Sequence, residues 1–160
     1  MVAMFGVLKM PALEHVEEMI VEFGWTVVGT ETRYNLPFSY TIGLNEKYNH
    51  PEIVIVGMNA ETAHGILHAV VRCIEDGKTF VDNQESFDVI KSAHFGCDLP
   101  VRFSAVDDNY KARNLCQAWF HYDGTFEALQ LLWPDEHNKF PGDTKYNHNE
   151  QFILQDKASF

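Results

Sequence analysis

Lysine and arginine are scarce in this 160-residue sequence and form no run: it has 12 basic and 23 acidic residues, and its formal net charge is −11. Nucleic-acid backbones and anionic membranes attract clustered basic side chains. We therefore expect neither a nucleic-acid partner nor a membrane partner. A small anionic ligand is compatible with this charge, because one or two arginines and a few backbone N–H groups can hold it locally.

Cysteine is also rare. The three cysteines, Cys73, Cys97 and Cys116, are odd in number and widely spaced, so they predict neither a disulfide framework nor a CxxC metal site. Reduced thiols are usual in the cytoplasm, which is the location we expect. The apolar residues 1–8 are followed rather than preceded by Lys9 and are too few to span a bilayer, so we expect neither a signal peptide nor a transmembrane helix.

Hydrophobic residues, at 46%, suffice for a folded core, and their spacing predicts the elements. Helical spacing predicts three helices, which end before glycines and occupy residues 11–23, 59–76 and 108–123. Alternating or continuous apolar runs predict strands at 25–30, 38–44, 52–57, 101–106 and 126–133, with shorter candidates at 78–81 and 87–90.

The order of these elements predicts an α+β fold. We expect a mostly antiparallel sheet, or a split-barrel-like half-barrel, with about three flanking helices. We also expect a single α+β domain over residues 1–143 and a polar C-terminal tail over residues 144–160.

Three strings carry a resemblance to a known family. They are PFSYTIGL at 37–44, HPEIVIVG at 50–57 and QLLWPDEHNKFPGD at 130–143, and they follow a strand that opens with Gly24-Trp25. Together they resemble the bacterial and phage family catalogued as domain of unknown function 4262. One position departs from the family pattern, since Gly142 stands where a tryptophan often follows the last Phe-Pro. The resemblance implies a shared fold and no particular chemistry.

A looser likeness is to the flavin-reductase-like split barrel. It rests only on the layout of the strand Pro51–Gly57 and the helix after Asn59. That likeness implies a bound flavin. Without it, no cofactor is predicted.

Aromatic rings, hydroxyls and arginines in the strongest motifs suit a nucleotide-like ligand, which needs a ring to stack on and donors for phosphate. These candidate ligand-binding residues are Arg33, Phe38, Tyr40, Thr41, Arg102, Trp133 and Phe140. The alternative is structural: a hydroxyl-bearing strand suits the solvated face of a sheet, and loop aromatics close the end of a core. The ligand hypothesis requires the strand with Tyr40 and the turn with Trp133 to form two walls of one cavity.

Acid–base candidates are few. His50 could act as a general base that Glu52 orients, and Asp135 could act as an acid or base. In the alternative, these residues form a turn. Pro51 forces His50 into an extended conformation, and Glu52 caps the end of the strand. The sequence has no GxSxG motif and no glycine-rich phosphate loop.

A metal site is not predicted. His64 and His68 lie four residues apart on a predicted helix, which is ligand spacing, but no HExxH glutamate and no third ligand accompany them.

We therefore expect a small-ligand-binding protein that holds a nucleotide-derived anion in a cleft, as a phage-type sequestering protein would. The alternative is an enzyme, either a hydrolase or lyase acting on a nucleotide-like substrate or a flavin-dependent reductase. A third hypothesis is an interaction protein whose acidic surface meets a basic partner. A homo-oligomer is compatible with each of them.

Overall fold

The computed structural model describes residues 13–30, 37–147, 151 and 153–155. Within them the fold is α+β, as the sequence predicts. The elements in chain order are α1 (Leu13–Phe23), β1 (Thr26–Thr30), β2 (Phe38–Ile42), α2 (Leu44–Tyr48), β3 (Glu52–Val56), α3 (Ala60–Glu75), β4 (Glu85–Ile90), α4 (Ser92–Phe95), β5 (Leu99–Ala105), α5 (Asp108–Asn114), α6 (Cys116–His121) and β6 (Ala128–Leu132).

The six strands form one open sheet in the order β1-β2-β3-β6-β5-β4. All neighbours pair antiparallel except β3 and β6, which are parallel. The described sheet does not close, so it is the antiparallel-sheet alternative and not a barrel. All five residues of β3 are buried, because this central strand is covered on both faces, as its continuous apolar run predicts.

Side chains alternate between two cores, one on each face of the sheet. On the α3 face, Ile53 and Ile55 pack with Phe80, Phe103 and the apolar stripe of α3. On the other face, which we call the α6 face, the core unites strand residues with α1, α5 and α6. Its members include Val16, Val28, Tyr40, Val54, Val56, Leu115 and Ala118.

The helices differ from the prediction in number. The described residues contain six, because the third predicted helix is divided at Leu115 and because the short helices α2 and α4 occupy segments without a predicted element. Leu115 has φ −105° and ψ 50° and is fully buried, so the chain turns there to place this side chain in the core.

One strand prediction is wrong. Residues 78–81 are not a strand; Phe80 instead places its side chain in the core, stacked on Phe103 with ring centroids 4.5 Å apart. The weaker candidate at residues 87–90 is confirmed as part of β4.

The described part of residues 144–160 contacts the domain closely. Leu154 is 1% exposed in the α6-face core, and its N–H donates to Gln130 Oε1 at 2.8 Å. Gln151 bonds both the N–H and the carbonyl of Trp133. These residues therefore extend the packed structure beyond residue 143.

No helix among the described residues is long and apolar enough to cross a membrane. The three cysteines are free thiols.

Candidate functional site

The strand with Tyr40 and the turn with Trp133 do not form one cavity. Tyr40 is fully buried in the α6-face core, whereas Trp133 packs against the α3-face core. β3 also separates β2 from β6. The expected two-walled cleft is therefore wrong, because strand alternation sends these two aromatics to opposite sides of the sheet.

The candidates in β2 are engaged within the fold. Phe38 stacks on Tyr40 with centroids 6.2 Å apart, and the Tyr40 hydroxyl accepts the Gln117 N–H at 3.1 Å. Thr41 donates to Glu52 at 2.8 Å and accepts the Ile53 N–H at 3.0 Å. Phe38, Tyr40 and Thr41 therefore all have ring contacts or hydrogen bonds within the fold.

Arg102 and Phe140 come together at the other end of the sheet. The guanidinium carbon lies 4.4 Å from the Phe140 ring centroid, and the group pairs with Glu85 at 2.7 Å and Asp143 at 3.0 Å. Two carboxylates already neutralise this cation, which leaves little positive charge for a ligand. Arg33 lies outside the described residues.

His50 and Glu52 do not form a dyad. His50 is 3% exposed; its Nδ1 donates to the Pro51 carbonyl and its Nε2 accepts the Phe80 N–H, both at 2.9 Å. Burial lowers the pKa of His50, so its imidazole is neutral in this position. Both ring nitrogens therefore hold the backbone together.

Glu52 is fully buried and surrounded by donors. Burial raises the pKa of this carboxyl, and the hydrogen bonds from Tyr122, Asn45 and Thr41 oppose that rise. The donors are the backbone N–H groups of Gly43, Leu44 and Asn45, the Asn45 amide, and the hydroxyls of Thr41 and Tyr122. Glu52 thereby joins β2, α2 and the end of α6.

Asp135 organises its own loop. Its carboxylate accepts the backbone N–H groups of His137, Lys139 and Asn147 at 2.6 to 2.9 Å. Burial acts to raise the pKa of Asp135, but these three hydrogen bonds outweigh it and the pKa is lowered. The role of Asp135 as an acid or base stays a prediction; the geometry gives it a structural one.

A groove of about 530 Å³ lies at the β1 edge of the sheet, between α1 and α3. This is the size range of small-molecule sites. Its walls include Phe23 and Trp25, and its polar groups come from Lys47, His64, His68 and Glu75. The histidine pair that resembles a metal site in sequence therefore faces a groove; no cluster of three metal-ligating side chains occurs in the described ranges.

The groove has two polar ends. Lys47 lies over Gly24, where a Cβ would come within 2.5 Å of Lys47 Cδ, and its Nζ donates to the Phe23 carbonyl at 3.2 Å. Glu75 stands nearby, bonded to the Tyr48 hydroxyl at 2.6 Å. His64 lies at the opposite end of the groove. Burial lowers the pKa of His64, and the charge of His68 lowers it further.

Trp25 lies between these ends. Its indole meets the His68 imidazole edge to face, with ring centroids 5.0 Å apart. The sequence predicts Trp25 only as the first residue of a strand. The available signal was the joint presence of this tryptophan and an (i, i+4) histidine pair, but nothing in one sequence places β1 beside α3.

A second concavity, of about 690 Å³, lies beside α5. Its buried Lys111 is bonded to Asp108 at 2.9 Å and to the Phe126 carbonyl at 2.7 Å. Asp107 and Glu127 also line it. In this second concavity the lysine is already bonded and the other charged groups are acidic. The groove between α1 and α3 at the β1 edge, which we call the α1–β1–α3 groove, therefore suits an anionic ligand better.

His121 joins three helices away from the groove. Its Nε2 lies 2.6 Å from Glu46 on α2, and its Nδ1 lies 2.7 Å from Glu17 on α1. The Nδ1 contact is an ion pair without hydrogen-bond alignment. Burial acts to lower the pKa of His121, but the two carboxylates outweigh it and raise the pKa above 6.5.

The His121 pair of contacts predicts a pH-dependent stability. A raised pKa in the folded state means that the contribution is complete below pH 6.5 and is lost as the pH rises through the folded pKa. We expect the free energy of unfolding of the wild type, relative to His121→Gln, to fall over that window in urea titrations. Exposed His15→Gln serves as the control, and a difference that stays constant or grows with pH would contradict the assignment.

These features define an α+β protein with an open, mostly antiparallel sheet and a candidate small-molecule groove at one edge. The chain belongs to the family described as Domain of unknown function (DUF4262), whose model matches residues 19–147. The match spans the groove and confirms the resemblance carried by the three strings. No curated protein and no solved structure matches the chain.

Proposed function

We propose that the protein binds a nucleotide-derived anion in the α1–β1–α3 groove. The observation that carries this proposal is the indole of Trp25, set between a Lys47–Glu75 end and a histidine end. Aromatic faces stack on bases, a lysine and a carboxylate can donate to and accept from the edge of a base, and an imidazole N–H can donate a hydrogen bond to an anion.

Binding without turnover fits this arrangement best. The acid–base candidates His50, Glu52 and Asp135 bond to groups within the fold. Sequestration of a signalling nucleotide, as by a phage-type protein, is therefore the role we propose. The free cysteines support a cytoplasmic setting, where thiols stay reduced.

Calorimetric titration with ribonucleoside monophosphates tests the proposal. We expect Trp25→Ala to weaken binding by about tenfold or more, because base–aromatic stacking contributes about 1–3 kcal/mol per base. Phe87→Ala is the matched control, since Phe87 is an exposed aromatic on the far edge strand β4. Absence of binding by the whole panel, or equal affinities of Trp25→Ala and wild type, would contradict the proposal.

A further inference from the structure

Three residues of α3 that line the groove lie on one side of this helix. They are His64, His68 and Glu75, and their spacing of four and then seven residues brings them into line. Glu75 lies about 10 Å beyond His68 along the helix axis. Because the Trp25 indole meets His68, a ring that stacks on this indole has the Glu75 carboxylate on one side and His64 on the other.

A lysine accompanies this carboxylate, and contacts within the fold hold both side chains. Lys47 Nζ donates to the Phe23 carbonyl at 3.2 Å and lies 5.3 Å from the Tyr48 ring centroid. The Tyr48 hydroxyl donates to Glu75 Oε2 at 2.6 Å. Burial, and then the hydrogen bond and charge of Glu75, raise the pKa of Tyr48 to about 12, so this hydroxyl keeps its proton. Tyr48 therefore positions the carboxylate at the same end of the groove as the ammonium group.

Both charged groups retain capacity for a ligand. An ionised carboxylate has about four lone-pair positions, and the Tyr48 hydroxyl takes one of them. An ammonium group has three donors, and the Phe23 carbonyl accepts one. Lys47 and Glu75 are exposed, so a ligand in the groove can reach them. The ligand that uses this end most fully presents two donors to Glu75 and an acceptor to Lys47.

We infer that the groove prefers guanine among the nucleotide bases, with Glu75 accepting from its N1–H and 2-amino group and Lys47 donating to its O6. The inference rests on the proposed function and specifies which nucleotide is bound. Guanine presents two adjacent donors and one acceptor along a single edge. Adenine and cytosine present one amino donor there, and uracil presents one N–H, so each leaves part of the carboxylate without a new partner. Hydrogen bonds to ionised groups are stronger than neutral ones, which favours the base that makes the most of them.

Calorimetric titration of the full chain with guanosine, inosine and adenosine monophosphates tests this preference. Inosine monophosphate keeps the O6 and N1–H of guanine but lacks the 2-amino group. We expect the wild type to bind guanosine monophosphate about tenfold more tightly than adenosine monophosphate, with inosine monophosphate between them.

Glu75→Gln should lower the affinity for guanosine monophosphate about tenfold and leave that for adenosine monophosphate nearly unchanged. The amide places an NH₂ donor against the donors of guanine. Loss of a negative charge by itself favours every anionic ligand alike, so a decline confined to guanosine monophosphate reports lost hydrogen bonds.

Glu61→Gln is the matched control. It makes the same change at an exposed residue in the first turn of α3, about 21 Å from Glu75 along the axis, and should keep the wild-type preference. Because both glutamates are exposed, both variants should keep the urea midpoint of the wild type.

The possible failures are distinct. If the wild type bound adenosine monophosphate as tightly as guanosine monophosphate, or if Glu75→Gln kept the preference for guanine, the inference would be overturned while the groove remained a nucleotide site. An equal decline for all three compounds in Glu75→Gln would also overturn it, because the carboxylate would then not distinguish the bases. No binding of any of the three would reject the proposed function itself.

Discussion

Glu52→Gln is expected to lower the free energy of unfolding by about 2–4 kcal/mol, because it leaves buried donors without their acceptor. Both carboxylate oxygens accept hydrogen bonds, and every contacting group is a donor. A glutamine keeps the volume but replaces one acceptor with an NH₂ donor. That donor would face the N–H groups of Gly43 and Asn45 or the hydroxyl of Thr41.

The Tyr122 hydroxyl makes the network harder to rearrange. It donates to Glu52 Oε2 at 2.5 Å while accepting the Gly43 N–H at 3.0 Å. Burial and the adjacent Glu52 charge raise the pKa of Tyr122, so its hydroxyl keeps its proton and donates to the carboxylate. Tyr122→Phe should therefore also destabilise the protein, but by less than Glu52→Gln.

Urea denaturation followed by circular dichroism measures this effect. Glu18→Gln is the matched control, because Glu18 is exposed on α1 and should stay within about 0.5 kcal/mol of the wild type. If Glu52→Gln were as stable as this control, Glu52 would not hold β2, α2 and α6 together, and its carboxylate would again be a candidate for acid–base chemistry.

His50→Ala is expected to cost about 2–4 kcal/mol, since it leaves the Phe80 N–H without its acceptor and opens a cavity beside the Phe80 ring. The imidazole meets this ring edge to face, with centroids 6.0 Å apart. Phe80 in turn stacks on Phe103 in the α3-face core. The loss of packing at His50 should therefore also weaken the α3-face core, which Phe80 joins through Phe103.

This substitution separates the two interpretations of His50. A structural histidine predicts a lower urea midpoint, whereas a general base predicts lost turnover at unchanged stability. His137→Ala is the control, because the His137 side chain is 72% exposed. A His50→Ala variant with the stability of this control would contradict the structural assignment and favour the enzyme hypothesis.

The elements with the strongest periodicity were predictable from the sequence. The apolar stripe predicted for α3 is the buried face of that helix, and Gly24 and Gly77 follow α1 and α3 as helix-ending glycines do. The continuous run in β3 also indicated a strand covered on both faces. In each case the burial pattern is local to one element.

Long-range placement was not predictable in the same way. Period-two alternation shows that neighbouring residues face opposite sides, but not which helix covers each side, and so Tyr40 and Trp133 were expected to share a cavity. The Glu52–Tyr122 bond joins residues 70 positions apart. Phe80 was interpreted as a strand residue because an isolated aromatic in a loop has the same local pattern as a short strand.

The most direct test of the groove is a nuclear magnetic resonance titration of the labelled protein with adenosine monophosphate. We predict the largest chemical-shift changes at the indole N–H of Trp25 and at the imidazoles of His64 and His68, at the β1 edge of the sheet. Changes centred on Trp133 and Phe140, or no changes at saturating nucleotide, would contradict the account.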